Sequence, residues 1–457
     1  MKESKRFLTL ISQHDQLMAE NKALREEIVC LKNRISNLEE ELSKYKTPKN
    51  STNSSIPSSK DPLNIPKTRS LREKSKKTVG GQLNHKGVTL DFKTPTSTIN
   101  YIPEYCSHCA ESLENIESKF IESRQVIDIP PITMEIIEHK LFSKKCSCGK
   151  TTQSDFPTHV TPGISYGPRL TTMTAYYHAR EFLPYKRLKE LYFDFFNLKI
   201  SEATLVNMVN RVGNKAENAS NLILTKILAS PVIGADESSI NINGDKQWMF
   251  VLQNDKATWM HCFESRSVSN LKELFGHGLE NKVLVHDCLA SYFKTSVGFH
   301  QICIAHLLRE LQYFIDRFEC CWSKKLRLIL LNSLDLAKTR NCTHVNVFND
   351  ERDKLLKEFL EHINLDLSNA PPIVNTFKKR MNRLFDAVFL FLSNPQVPPD
   401  NNGSERAIRN IKVKQKVSGL FKNQQSANIY ANIRSVIDTA IKNSQCIWNA
   451  LYQVATI

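Results

Sequence analysis

The chain has 457 residues, 41% of them hydrophobic, and a formal net charge of +15. That length exceeds one ordinary core and implies two to four domains, while the apolar share excludes global disorder. No run of 18 apolar residues occurs, which argues against a membrane-spanning helix, and the start MKESKRF lacks a signal-peptide core, so a cytoplasmic protein is expected. The basic excess points to a polyanionic partner, most simply nucleic acid.

Leu10, Leu17, Leu24, Leu31 and Leu38 recur every seven residues. With these at heptad position d, Asn21, Ile28 and Ile35 fall at a. Ile at a with Leu at d favours a parallel two-stranded coiled coil, and Asn21 suits a register-fixing polar pair. The interchain flank pairs Glu20–Arg25, Glu27–Lys32 and Arg34–Glu39 are all opposite in sign. The periodicity predicts a leucine-zipper coiled coil over 1–47; a lone amphipathic helix packed on its own domain is the alternative. Pro48 ends it. Residues 43–94 carry twelve Lys/Arg and three Asp/Glu, a net +9. Residues 48–95 therefore read as a basic disordered linker able to bind phosphates without reading sequence.

Cys106-Ser-His-Cys109 and Cys146-Ser-Cys148-Gly149 bracket 36 residues. Four thiolates in two close pairs suit a tetrahedral Zn²⁺ in a small domain over 96–160. The segment between them alternates like a strand pair that would join the two knuckles. Four unpaired thiols are the plainer reading of the same residues.

Three helices follow within 165–225: PRLTTMTAYYHAR, YKRLKELYFDFF and SEATLVNMVNRVGNKAEN, with Ser201 as the N-cap of the last. Helix, short turn and capped helix match a helix-turn-helix, with Ser201, Thr204 and Asn207 as DNA-contact candidates. An ordinary helical bundle fits equally well.

From Pro231 the pattern becomes β-β-β-α-β, the opening of a ribonuclease-H-like core over 230–300. Asp236 lies on its first strand and Asp287 at the end of its fourth. Carboxylates in apolar strands are costly without a cation to offset them. A third acid is expected on a helix: NNGSERAIRNIKVKQK carries Glu405, with Arg409, Lys412 and Lys416 on the same face as phosphate-contact candidates. Glu405 stands far beyond Asp287 in the chain, so a helical insertion over 301–397 separates them. The core resumes over 398–457 with the Glu405 helix and C-terminal helices. Cys303-Ile-Ala-His306 is incomplete as a metal pair and reads as structural, at the base of the insertion. The fold expected is thus multidomain α+β: coiled coil, zinc domain, helix-turn-helix, and an α/β ribonuclease-H-like core with a mixed sheet.

These blocks together resemble the DDE transposases of the insertion-sequence-66 family. NSSIPSSKD and GGQLNHKG look like that family's linker, and CSHC…CSCG is similar to its zinc region. LPYKRLKELYFDFFNLKISEATL is similar to its helix-turn-helix. ADESS, VHDCLASYF, CIAHLLREL and NNGSERAIR resemble its catalytic blocks. Ser238 departs from the Thr that the family more often has after Asp-Glu. The resemblance implies a catalytic triad Asp236, Asp287 and Glu405 that holds two Mg²⁺ about 3.5–4 Å apart and cuts and joins DNA strands. It also implies structural Zn²⁺ on the four cysteines. Partners would be terminal inverted repeats and target DNA, a homodimer or higher assembly at paired ends, and accessory proteins of the same element, in a bacterial nucleoid. A regulatory DNA-binding protein derived from such an enzyme, or a nuclease that cuts without joining, are the competing readings.

Overall fold

The computed structural model describes residues 17–18, 20–35, 38, 49–50, 53, 80, 86–87, 90–130, 132–157 and 160–456. Leu10 of the heptad lies outside them. The chain divides into two compact units, one of Met1–Arg69, Thr161–Glu190 and Lys199–Ile457, the other of Ser70–Val160 and Leu191–Leu198. The architecture is mixed α+β, with a five-stranded mixed sheet and many helices. None of the described helices is long and apolar enough to cross a membrane.

In the larger unit, helix α1 is described over residues 20–35, and the flanking Leu17 and Leu38 are also helical. Its heptad side chains Leu17, Asn21, Leu24, Ile28, Leu31, Ile35 and Leu38 are all exposed.

The sheet follows from strand chemistry. Strand β3 (Val232–Ile242) and strand β4 (Asp245–Gln253) form a hairpin. Its turn is Asn243-Gly244, with φ of 50° and 104°, the left-handed pair that a tight two-residue hairpin requires. Strand β4 reads Met249–Leu252 as an unbroken buried apolar run, because it is paired on both edges and covered on both faces. Strand β5 (Thr258–Phe263) pairs antiparallel to β4. Helix α5 (Val268–Phe275), capped by Ser267, precedes strand β6 (Val283–His286). Strands β6 and β7 (Phe299–Ile302) are parallel to each other, and β6 is parallel to β3. The order is β5-β4-β3-β6-β7.

Helices cover both faces. One layer is α2 (Pro168–Ala179), α4 (Glu202–Ala229), α12 (Gln424–Lys442) and α13 (Ile447–Thr456). Helix α3 (Tyr185–Phe196) lies between α2 and α4 in sequence. Ser201 caps α4 by accepting from the Thr204 N–H at 3.1 Å. This helix runs 11 residues past the expected end at Asn218, because Leu205, Met208, Val209, Val212, Ala216, Ile223 and Ile227 continue one buried stripe. A Cβ on Gly213 would meet Ile429 Cγ2 at 2.4 Å, so glycine lets α4 and α12 approach closely.

The second layer is α6 (Ile304–Phe318), α7 (Cys321–Thr339), α8 (Val345–Ile363), α9 (Pro372–Arg383) and α10 (Phe385–Ser393). Helices α9 and α10 are divided at Leu384. Buried Gln301 on β7 ties this layer to the sheet, donating to the Val388 carbonyl and accepting from the Phe391 N–H. Helix α11 (Asn402–Ser418) then returns to the sheet.

In the smaller unit, strands β1 (Ser143–Lys145) and β2 (Thr151–Gln153) form a short antiparallel hairpin. The strand pair expected between the two cysteine knuckles is otherwise absent among the described residues. Ile127, Ile129, Ile136 and Ile137 stay exposed, and Pro130-Pro131 removes two consecutive ladder donors.

One buried pair gives this core a pH dependence. His178 Nε2 lies 3.1 Å from the Nζ of buried Lys414, and its Nδ1 lies 3.1 Å from the Leu183 carbonyl. Burial, then the Lys414 charge, pushes the imidazole down to about 3. A group depressed in the folded state contributes stability above its unfolded pKa of 6.5, and that stability is lost as pH falls toward 3. Urea denaturation at pH 7 and pH 5 should show a loss approaching ~1.4 kcal/mol per pH unit from this site. His178→Gln should flatten that slope; an unchanged slope refutes the assignment.

Candidate active site

One aspartate lies within strand β3 and the second just past the end of its parallel neighbour β6. The register pairs Val232 with Val283, Ile233 with Leu284 and Gly234 with Val285. Extended by two residues, it sets Asp236 opposite Asp287, which directly follows β6. Cys288 next to it adopts φ of 82°, a strained value for a residue with a side chain, and the chain turns there. The Asp287 carboxylate accepts the Leu289 N–H at 3.1 Å.

Helix α11 brings the third acid. Asn401 at its start donates to the Ala235 carbonyl at 2.7 Å and accepts the Ser404 hydroxyl at 2.7 Å. Two glycines make this approach possible. A Cβ on Gly234 would lie 2.9 Å from Asn401 Oδ1, and one on Gly403 would lie 2.6 Å from the Gln253 side chain. Ile304 donates to the Pro399 carbonyl at 3.0 Å, which ties the start of α6 to the same loop. Glu405 is thereby held between the sheet and α6.

The acids act on one another electrostatically. Asp236 is buried, and its carboxyl is pushed well above the ordinary range, first by burial, then by the charges of Asp287, Glu237 and Glu405. Glu237, whose side chain is 2% exposed, is raised as well, by burial and then by Asp287. It accepts from the Tyr292 hydroxyl at 2.9 Å and from Arg266 at 3.2 Å. Glu405 Oε1 receives Arg309 at 2.9 Å and faces His306 Nε2 at 3.4 Å. Asp236 thus feels the charges of Asp287, Glu237 and Glu405, although Asp236, Asp287 and Glu405 do not form a set of ligand atoms within 4.8 Å of one another. Glu237 was legible as the residue after Asp236, and Arg309 as the cation three positions beyond His306, but neither spacing carries a signal of its own.

The expected cationic face of α11 divides. Arg409 is 73% exposed and 3.9 Å from Glu405. Lys412 donates to the Ser239 carbonyl of β3 at 2.6 Å, and Lys416 is exposed. On α4, Ser201 and Asn207 are exposed and Thr204 is half-buried.

The cysteine knuckles form separately. The Ala110 N–H donates to the Cys106 carbonyl at 2.9 Å, and the Gly149 N–H to the Cys146 carbonyl at 2.9 Å. Gly149 takes φ of 86° to close the second turn. Backbone hydrogen bonds, from Cys109 and then His108, lower the Cys106 thiol; those led by Cys148 lower Cys146. That favours thiolates, as a metal does. The structure does not gather Cys106, Cys109, Cys146 and Cys148 into one group. The only set of three or more ligand atoms within 4.8 Å of one another, among the described residues, is Cys303, His306 and Glu405.

Compared with known families, residues 163–429, more than half of the chain, match the model described as Transposase IS66 family. Residues 10–91 match a family of unknown function, DUF6444. No curated protein matches the chain.

Proposed function

From the premise that the chain belongs to the IS66 transposase family, we propose that it cuts and joins DNA strands at Asp236, Asp287 and Glu405. The observation that supports this is that the buried Asp236 carboxyl on β3 is raised by burial and by the charges of Asp287, just past β6, and of Glu405 on α11. An all-oxygen donor set suits a hard cation, and the mutual repulsion of the acids is what such a cation would relieve. Two Mg²⁺ held by these three carboxylates would supply activation of the attacking water and charge stabilisation of the leaving 3′ oxygen.

The chain's own residues do the rest. Asn401 and Ser404 fix the start of α11, so Glu405 keeps its height over the sheet. Arg309 neutralises Glu405 before substrate arrives. Exposed Arg409, near Glu405, and exposed Lys416, farther along α11, are free to contact phosphates. Tyr292 and Arg266 hold Glu237 in place beside Asp287. Cleavage breaks the phosphorus–3′ oxygen bond and leaves a 3′-OH, which then attacks target DNA in the same site.

The remaining parts divide the labour. Helices α3 and α4 read terminal inverted repeats, with Ser201, Thr204 and Asn207 toward the DNA. The exposed apolar stripe of α1 pairs two protomers as a coiled coil, so that two ends are held together. Cys106, Cys109, Cys146 and Cys148 close on structural Zn²⁺, which supports the small domain.

The test is incubation of purified protein with labelled DNA carrying the element's end, with Mg²⁺ or with EDTA, beside Glu405→Ala. Metal-dependent nicking that the variant lacks supports the reading. Nicking retained in Glu405→Ala removes Glu405 from the triad. End binding without cutting, even with the element's companion proteins added, favours a regulator.

A further inference from the structure

The three acids leave one group beside them unexplained. Cys303, His306 and Glu405 each offer a ligand atom, all within 4.8 Å of one another. Sulfur, imidazole nitrogen and carboxylate oxygen are a poor set for Mg²⁺, which takes oxygen. They are the ligands of zinc, at about 2.3, 2.0–2.1 and 2.0–2.2 Å. Two nitrogen or oxygen ligands at those lengths in a tetrahedron stand roughly 3.3 Å apart. His306 Nε2 and Glu405 Oε1 stand 3.4 Å apart.

The surroundings suit a bound thiolate. Cys303 is fully buried, and its sulfur accepts the Asn401 N–H at 3.3 Å. Cys303 is the N-cap of α6 and His306 its third residue, so the first turn presents both on one side. His306 Nδ1 is buried without a hydrogen-bond partner. Nδ1 thus holds no bond that would keep the ring from an ion, and Nε2 already faces Glu405. His306 and Glu405 are partly exposed and form the open side, while the sulfur forms the closed wall.

We propose that Cys303, His306 and Glu405 form a second, thiophilic divalent-cation site that takes Zn²⁺ and switches strand cleavage off. When Zn²⁺ binds, the Cys303 thiol gives its proton to water as the S–Zn bond forms. The Arg309 guanidinium leaves Glu405 Oε1, and the fourth position stays with water. With Zn²⁺ on its Oε1, Glu405 has less charge to offer a second cation beside Asp236 and Asp287, so Mg²⁺ binding there weakens. The inhibitory half of this proposal rests on Glu405 being the third catalytic acid; the binding half does not.

Cobalt is the probe, because a thiolate ligand gives it a strong charge-transfer band. Metal-free full-length protein is titrated with Co²⁺, beside Cys303→Ser and His306→Ala, with folding checked by circular dichroism. The wild type should bind one more equivalent than Cys303→Ser and carry the matching extra charge-transfer absorption, whatever the four-cysteine knuckles bind. His306→Ala should weaken that equivalent at least ~10-fold, the lower bound for loss of a supporting interaction at a metal. Identical stoichiometry and spectra in wild type and Cys303→Ser overturn the site. In Mg²⁺-supported cleavage, the half-inhibitory Zn²⁺ concentration should rise at least ~10-fold in Cys303→Ser. Cobalt binding with no zinc inhibition overturns the switch. Cleavage surviving in Glu405→Ala removes the acid assignment and leaves the cobalt result standing, so the two failures are distinguishable.

Discussion

Asp236→Asn is expected to abolish DNA cleavage and, at the same time, to make the protein more stable. The two effects share one cause. Asp236 is buried, and its carboxyl is raised by burial and by the charges of Asp287, Glu237 and Glu405. In the folded protein without a cation, its ionised form is held against its own neighbours. An acid raised in the folded state contributes stability below its unfolded pKa, and that contribution is lost as pH rises through the folded value. Above its unfolded pKa the wild type bears this cost, as repulsion or as proton uptake. The amide keeps the shape and removes one charge, so the melting temperature rises and stability becomes less dependent on pH. Activity moves the other way, since a neutral amide is a poor ligand for a hard cation. If Asp236 holds a catalytic cation as proposed, its loss lowers cleavage by at least ~10³-fold, about 4 kcal/mol of barrier. End binding should persist, because phosphate contacts come from elsewhere. Thermal melts and single-turnover cleavage on the same preparation test both halves. A variant that melts lower, or cleaves within tenfold of wild type, refutes the like-charge cluster as the active site.

Arg434→Ala is expected to cost about 3–5 kcal/mol of stability, the scale for stranding a buried charge. Arg434 on α12 has a side chain 0% exposed, and it pairs with Asp438 one turn later. It also donates to the Ala179 carbonyl at the end of α2 at 3.2 Å. Burial raises Asp438 even with Arg434 beside it. Losing the guanidinium leaves that carboxylate without its nearest cation inside the largest core. The paired replacement Arg434→Met with Asp438→Leu should recover most of the loss, because it removes both charges and keeps the volume. Urea denaturation of the three proteins decides it. A cost below ~1 kcal/mol in Arg434→Ala would show the pair to be solvated.

Much of this protein is legible along the chain, and the reasons are local. The β-β-β-α-β order from Pro231 followed from apolar runs separated by Asn243-Gly244 and Asn254-Asp255-Lys256, and the strands fall there. Ser201 was legible as a cap because a hydroxyl beside the first free N–H groups is a short-range requirement. Asp236 stood out as a charge inside an apolar strand, and Asp287 as one at a strand's end. The misreadings are equally physical. Alternation between the cysteine knuckles resembled a ladder, yet two adjacent prolines lack the donors and the isoleucines gained no cover. Helix α4 outran its expected end because its stripe is read by α12, more than 200 residues away.

What the residues determined by themselves is the element order, the caps and turns, the placing of one acid on a strand, one at a strand's end and one on a helix, and family membership through ordered motifs. Each depends on neighbours within a few positions. Only the tertiary structure decided that Glu237 joins the acids, that Arg309 rests on Glu405, and that Lys412 binds the backbone of β3 instead of standing free. It also decided that an incomplete Cys-x-x-His becomes a three-ligand cluster. Those facts require β3, β6, α6 and α11 to meet. Glycines at 234 and 403 and the bonds of Asn401 bring them together across more than 160 residues of chain. Sequence spacing carries no distance at that range; packing does.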